Sequence, residues 1–198
     1  MPSETEASAL LTFFTQAGAL KDTLRSARTA TGRVESVAEH SWRLAVMALV
    51  LAPTEPGLDL TRVLQLCLIH DLGEALGGDV PAPAQTTDPD RKARERQDVR
   101  SVVAALPPAQ RDALIAAYDE ADAGTTPEAR FVKALDKLET CLQHVEGAQV
   151  PDFDFAFNLS YGRAATDAVP TIAALRRPVD DRTRARSASA RASEPSTA

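Results

Sequence analysis

Between Leu60 and Ile69 the chain has almost no polar face: Val63, Leu64, Leu66, Cys67, Leu68 and Ile69 crowd one ten-residue stretch. Asp59, immediately before it, can accept hydrogen bonds from the first free amides of a helix, so a helix opening at Leu60 is expected. A helix that is apolar on all sides belongs in the middle of a packed domain. Yet this run ends on His70 and Asp71. Glu74 follows four residues after His70, at the spacing of one helix face, and Asp79 comes just after the Gly77-Gly78 break, in a loop stiffened by Pro81 and Pro83. Burying an unpaired polar group costs roughly 2–7 kcal/mol, so these side chains need partners. A divalent cation held by imidazole and carboxylate would satisfy them. A core histidine bonded to a carbonyl, with Asp71 as a helix-end acceptor, is the plainer alternative.

The remaining pattern is helical. Leu10, Leu11, Phe13, Phe14, Ala17, Leu20 and Leu24 recur at three and four residues, predicting an amphipathic first helix. Residues 25–33 read as a loop. Ser36-Val37-Ala38-Glu39 is a capping box, opening a second helix that stops before Pro53. Further helices are expected over 91–106, 109–118, 127–146 and 161–175, the last with a possible extension over 153–159. No strand alternation or repeat is visible. Aromatics are only 5% of the chain, which also favours helix over sheet. The expected architecture is all-α: one helical domain over residues 1–175 with a site between central helices.

Residues 176–198 hold six arginines against three acids, leaving sixteen basic and twenty-five acidic side chains in the other 175 residues. An acidic body is poorly suited to duplex nucleic acid, which needs clustered Lys and Arg. The Arg/Ser/Ala-rich end reads as a disordered tail. No apolar run is long enough for a membrane span, and the acidic start lacks the form of a secretory leader. Cys67 and Cys141 both lie in apolar helical patterns, as expected of free thiols in a reduced, cytoplasmic protein.

Three other positions read less clearly from spacing. His40 falls in the first turn of the second helix, where a histidine commonly caps or lies on the surface. Asp136 falls off the apolar stripe of Phe131, Leu135, Leu138, Leu142 and Val145, so the helical wheel turns it toward solvent. His144, on the polar face of the same helix, reads as a surface residue.

The ordered set Glu35-Ser36-Val37-Ala38-Glu39-His40-Ser41, His70-Asp71-Leu72-Gly73-Glu74 through Asp79-Val80-Pro81-Ala82-Pro83, and Phe131-Val132-Lys133-Ala134-Leu135-Asp136 resembles the HD-domain phosphohydrolases, most closely their 5'-nucleotidase branch. The resemblance spans about residues 8–175. It implies that His40, His70, Asp71 and Asp136 hold one divalent metal, with Co or Mn favoured and Zn, Ni, Fe or Mg possible. It makes Glu74 and Asp79 catalytic carboxylates near that metal. Arg25, expected at the end of the first helix, matches a phosphate-binding arginine, and Lys133 is a second candidate for substrate contact. The implied reaction removes the 5'-phosphate from (deoxy)nucleoside monophosphates, by a protein that forms homodimers. A sugar-modified or other phosphate ester, or nucleotide binding without turnover, are the alternatives. One departure bears on the sugar: bacterial members carry Trp after the arginine, and this chain has Ser26. Its only Trp is Trp42. The resemblance therefore implies a roomier sugar pocket and weaker selection for deoxyribose.

Overall fold

Helix starts follow the local chemistry closely. In the computed structural model, which describes residues 3–148 and 153–193, Ser3 accepts from the Glu6 amide while the Glu6 carboxylate accepts from the Ser3 amide. This reciprocal cap opens α1 (Glu4–Gly18). The same device at Ser36 and Glu39 opens α2 (Val37–Leu51). Asp59 accepts from the amides of Thr61 and Arg62 to open α3 (Leu60–Ile69). After the turn at 70–73 come α4 (Glu74–Gly77), α5 (Arg91–Val102), α6 (Pro108–Ala123) and α7 (Pro127–Glu146). The all-α expectation holds.

The chain divides into two compact units, one of residues 1–26 and 35–132, the other of 27–34 and 133–198. In the first, α2 packs on α3, α3 on α6, α5 on α6 and α4 on α5. Leu20, Val37, Leu72, Val99, Val102, Val103, Leu106 and Tyr118 form a buried cluster, with Leu10, Phe13 and Ala17 of α1 packed against it. Gly73 makes the α4–α5 contact possible, since a Cβ there would lie 2.6 Å from the Glu95 carbonyl oxygen.

Several expectations are corrected. α3 is not buried all round: Val63, Leu66 and Cys67 face inward while Leu68 is exposed. Residues 25–33 are not simply loop. β1 (Leu24–Arg28) pairs with β2 (Val34–Ser36) around a turn in which Gly32 has a φ of 92°. Strands of five and three residues are too short to print a period-two pattern. In place of one helix over 161–175 with its extension stand three: α8 (Phe155–Ser160), then, after Gly162 at φ 66°, α9 (Arg163–Asp167), and α10 (Pro170–Ser193).

Within the second unit, α10 runs through most of the residues that read as a disordered tail. Arg176 is fully buried, donating to Asp180 Oδ1 at 2.7 Å and to the carbonyls of Asn158 and Tyr161. Val179, Asp180 and Thr183 are buried along the same face. Composition treats arginine as a solvated residue; here one arginine is paired and hydrogen-bonded inside the fold. Residues 194–198 lie outside the described residues. Among the described residues no helix is long and apolar enough to cross a membrane, and Cys67 and Cys141 are buried free thiols.

Candidate metal centre

The capping box at Ser36 fixes where α2 begins and so carries His40, four residues later, inward; it is fully buried. His70 closes α3, its amide donating to the Leu66 carbonyl. Its side-chain Nδ1 lies 2.9 Å from the Cys67 carbonyl oxygen. A carbonyl can only accept, so Nδ1 carries a proton, and Nε2 is the ring nitrogen left to face a ligand. That buried Nε2 has no hydrogen-bond partner, and it stands 3.1 Å from Asp71 Oδ2. The plainer expectation, a histidine bonded to a carbonyl, is thus met at one ring nitrogen and leaves the other facing an anionic oxygen.

A cation beside that nitrogen and the carboxylate oxygen would satisfy both. Ligand atoms about 2.1 Å from a metal are separated by roughly 3.0–3.4 Å in octahedral or tetrahedral arrangements, so the pair has the spacing of adjacent ligands. His40 Nε2 lies 3.7 Å from the same Asp71 oxygen. The ligand atoms of His40, His70 and Asp71 all fall within 4.8 Å of one another. Nitrogen and carboxylate donors in such a cluster fit a divalent metal.

Arg25 lies in β1, not at the end of the first helix. α1 stops at Gly18, and a 3-10 turn over Ala19–Lys21 leads into the strand. From there its Nη1 lies 3.7 Å from Asp71 Oδ2 and its Nε 3.3 Å from Glu35 Oε2. Glu35, almost fully buried, opens the first motif, and nothing in the motif's order sets it beside Arg25. Ser26 is exposed next to Arg25, and Trp42 is exposed on α2.

Glu74 does not continue the helix of His70. A turn separates them, and Glu74 opens α4. Burial pushes its carboxyl up to about 10, with the charges of Asp71 and Asp79 adding to the rise and Arg25 opposing it. Its Oε2 is buried with no hydrogen-bond partner. Asp79 is half-buried after Gly78, whose φ of 77° ends α4.

The second unit contains Lys133, Asp136 and His144. Lys133 is exposed. The Asp136 side chain is only 15% exposed, so the wheel's solvent assignment is corrected, and Lys137 Nζ lies 2.9 Å from its Oδ2. His144 is likewise half-buried: Nδ1 is 3.2 Å from Asn158 Nδ2 and the ring packs on Phe153 at 4.5 Å.

Residues 17–176 match the family model described as HD domain. A human protein named 5'-deoxynucleotidase HDDC2 is 35% identical over 71% of this chain and 69% of its own. The fission-yeast 5'-deoxynucleotidase hdd1 is 27% identical over 57% of this chain and 58% of its own, so the chain spans little over half of that relative. A crystal structure described as a predicted metal-dependent phosphohydrolase from Magnetospirillum magnetotacticum superposes with a TM-score of 0.81. It is 30% identical and covers 93% of this chain and 95% of that one. With the family model covering most of its length and a histidine–aspartate cluster of metal-ligand spacing at the end of α3, this chain belongs to the HD domain family.

Proposed function

We propose that the chain is a metal-dependent 5'-nucleotidase that releases phosphate from (deoxy)nucleoside 5'-monophosphates. The observation that carries this reading is the 3.1 Å approach of His70 Nε2 to Asp71 Oδ2, with His40 beside them and the Arg25 guanidinium 3.7 Å from the same carboxylate oxygen. Metal-ligand spacing next to a phosphate-binding group is what phosphomonoester hydrolysis requires. The names of the human and yeast relatives support the nucleotide class.

His40, His70 and Asp71 would hold the metal, and the motif order adds Asp136. When bound, a divalent cation supplies Lewis acidity toward a phosphate oxygen and lowers the pKa of a water. Arg25 clamps phosphate oxygens through its planar fork, a contact worth most as charge develops in the transition state. With a cation held beside Asp71 favouring its ionised form, Glu74 would orient the attacking water and take its proton. Asp79 lies on the leaving side and returns a proton to the sugar oxygen as the P–O bond breaks, which balances the reaction as nucleoside plus phosphate. Lys133, exposed on α7, is a secondary contact in this scheme. Buried free thiols are consistent with a reduced, cytoplasmic setting. Co or Mn is favoured for a site of mixed nitrogen and oxygen donors.

The sugar is tested by pairing each 2'-deoxynucleoside 5'-monophosphate with its ribo counterpart on the metal-loaded enzyme. Ser26 leaves a small side chain beside Arg25, so kcat/KM for the two sugars is expected to agree within about tenfold, the scale of one lost apolar contact. A deoxy preference of a thousandfold would show that another group reads the 2' position. Binding of nucleotide without phosphate release would overturn the enzymatic reading.

A homodimer is part of the same proposal. Trp42, Val46, Leu49 and Val50 form one exposed stripe on α2, between 40% and 66% exposed. Together they present on the order of 400 Å² of apolar surface, a patch of a size that is often functional. A two-fold pairing with a second copy buries it twice, approaching the roughly 1,000 Å² of a specific interface. Trp42→Glu should then sediment as a monomer at concentrations where the parent is a dimer; a parent that is monomeric throughout would sink this assembly.

A further inference from the structure

Adjacent residues on a helix point about 100° apart and do not normally meet. Asp136 and Lys137 do: the ammonium lies 2.9 Å from Asp136 Oδ2. Two features of the following segment hold the lysine there. Its Nζ also donates to the Tyr161 hydroxyl at 2.9 Å. Gly162 presses on its stem so closely that a Cβ would fall 2.4 Å from Lys137 Cβ and 2.5 Å from Cγ, and the glycine's φ of 66° is one that L side chains rarely adopt. Tyr161 is fixed in turn. Its ring stacks on Phe157 with centroids 5.4 Å apart, and its carbonyl accepts from buried Arg176 at 3.0 Å. Nothing in the sequence pattern singled out Lys137, Tyr161 or Gly162, because their relation crosses twenty-four residues and depends on the break between α8 and α9.

We propose that Lys137 is a positioning residue for Asp136: clamped by Tyr161 and Gly162, it occupies one carboxylate oxygen, fixes the rotation of the carboxylate, and restricts Asp136 to a one-oxygen contact with a divalent metal. The inference rests on Asp136 being a metal ligand, as the reading above assigns. One-oxygen coordination keeps a position open at the metal that a two-oxygen grip would fill, and an open position is what a hydrolytic site needs. Partners of this kind, which orient a ligand without touching the metal, typically change metal affinity 10–100-fold when removed. Lys137 and Tyr161 are thereby tied to the metal through Asp136.

The test is titration of metal-stripped full-length protein with Co²⁺ alone, reading both affinity and the visible absorption of the bound ion. Lys137→Met keeps the stem under Gly162 and removes the ammonium. It is expected to weaken Co²⁺ about tenfold and to alter the visible band, because a freed carboxylate changes the coordination number. Tyr161→Phe keeps the ring stack and loosens the lysine; about a threefold loss with the same spectral direction is expected. It carries the decision if the methionine variant fails to fold, as judged by its thermal midpoint. Co²⁺ affinity in the variants equal to or tighter than the parent's, with superimposable spectra, would overturn the proposal. Asp136→Asn separates this from the assumption beneath it: undiminished Co²⁺ binding there removes Asp136 from the ligand set, whereas lost binding there beside a parent-like Lys137→Met removes only Lys137.

Discussion

Replacing His70 by alanine is expected to abolish phosphate release, by about a thousandfold or more, while leaving the fold in place. Nε2 of His70 lies 3.1 Å from Asp71 Oδ2, in the pair proposed to hold the metal. Its removal takes away one of the three clustered ligand groups. The structural loss is the Nδ1 bond to the Cys67 carbonyl, a contribution of about 1 kcal/mol. The metal-free variant should therefore unfold within a few degrees of the metal-free parent, and Co²⁺ should raise the midpoint of the parent alone. Equal Co²⁺ stabilisation of both proteins, measured by thermal scans, would place the metal elsewhere.

Glu74→Gln is expected to separate stability from catalysis. In the metal-free protein the Glu74 carboxyl is pushed up to about 10 by burial and by Asp71 and Asp79, from an ordinary value of 4.5. Between those limits the folded chain holds a proton that the unfolded chain has released, so stability falls as pH rises through that window. Glutamine carries no charge to desolvate. The metal-free variant should match the parent near pH 4 and exceed it near pH 9, by on the order of 1–3 kcal/mol once relaxation and coupling to Asp71 are allowed for. Turnover should fall about 10²–10⁴-fold, the usual contribution of a general base, with Co²⁺ affinity nearly unchanged. Parent-like turnover would remove Glu74 from the mechanism; identical pH–stability profiles would remove the buried-charge account of its environment.

What could be read from the sequence was whatever a few neighbouring residues decide. Ser36 with Glu39, and Asp59 before Leu60, place two helix starts because capping is local chemistry, and α7 covers the expected residues 127–146. His70, Asp71 and Glu74 stood out because ionisable groups ending an apolar run must be satisfied. His40 and Asp136 could not be assigned by spacing at all; the family motif supplied them, and the structure shows His40 buried and beside Asp71. Misreadings arose where long-range contacts reverse a residue's usual preference. Arg176 is buried because Asp180 and two carbonyls receive it, and Leu68 is exposed on a helix whose composition promised burial on every side. His144 read as a surface residue because its contacts, Phe153 and Asn158, lie beyond the end of its helix. Arg25 fell in a strand too short to show a period, and only folding brings it to Asp71 and Glu35.

The most direct measurement is phosphate release from a 2'-deoxynucleoside 5'-monophosphate by metal-stripped protein, before and after addition of Co²⁺ or Mn²⁺, with His70→Ala alongside. No release is expected from the stripped protein, recovery on adding metal, and none from the variant under any condition. Release by the stripped protein at the reloaded rate, or by His70→Ala at the parent's rate, would contradict the proposed mechanism.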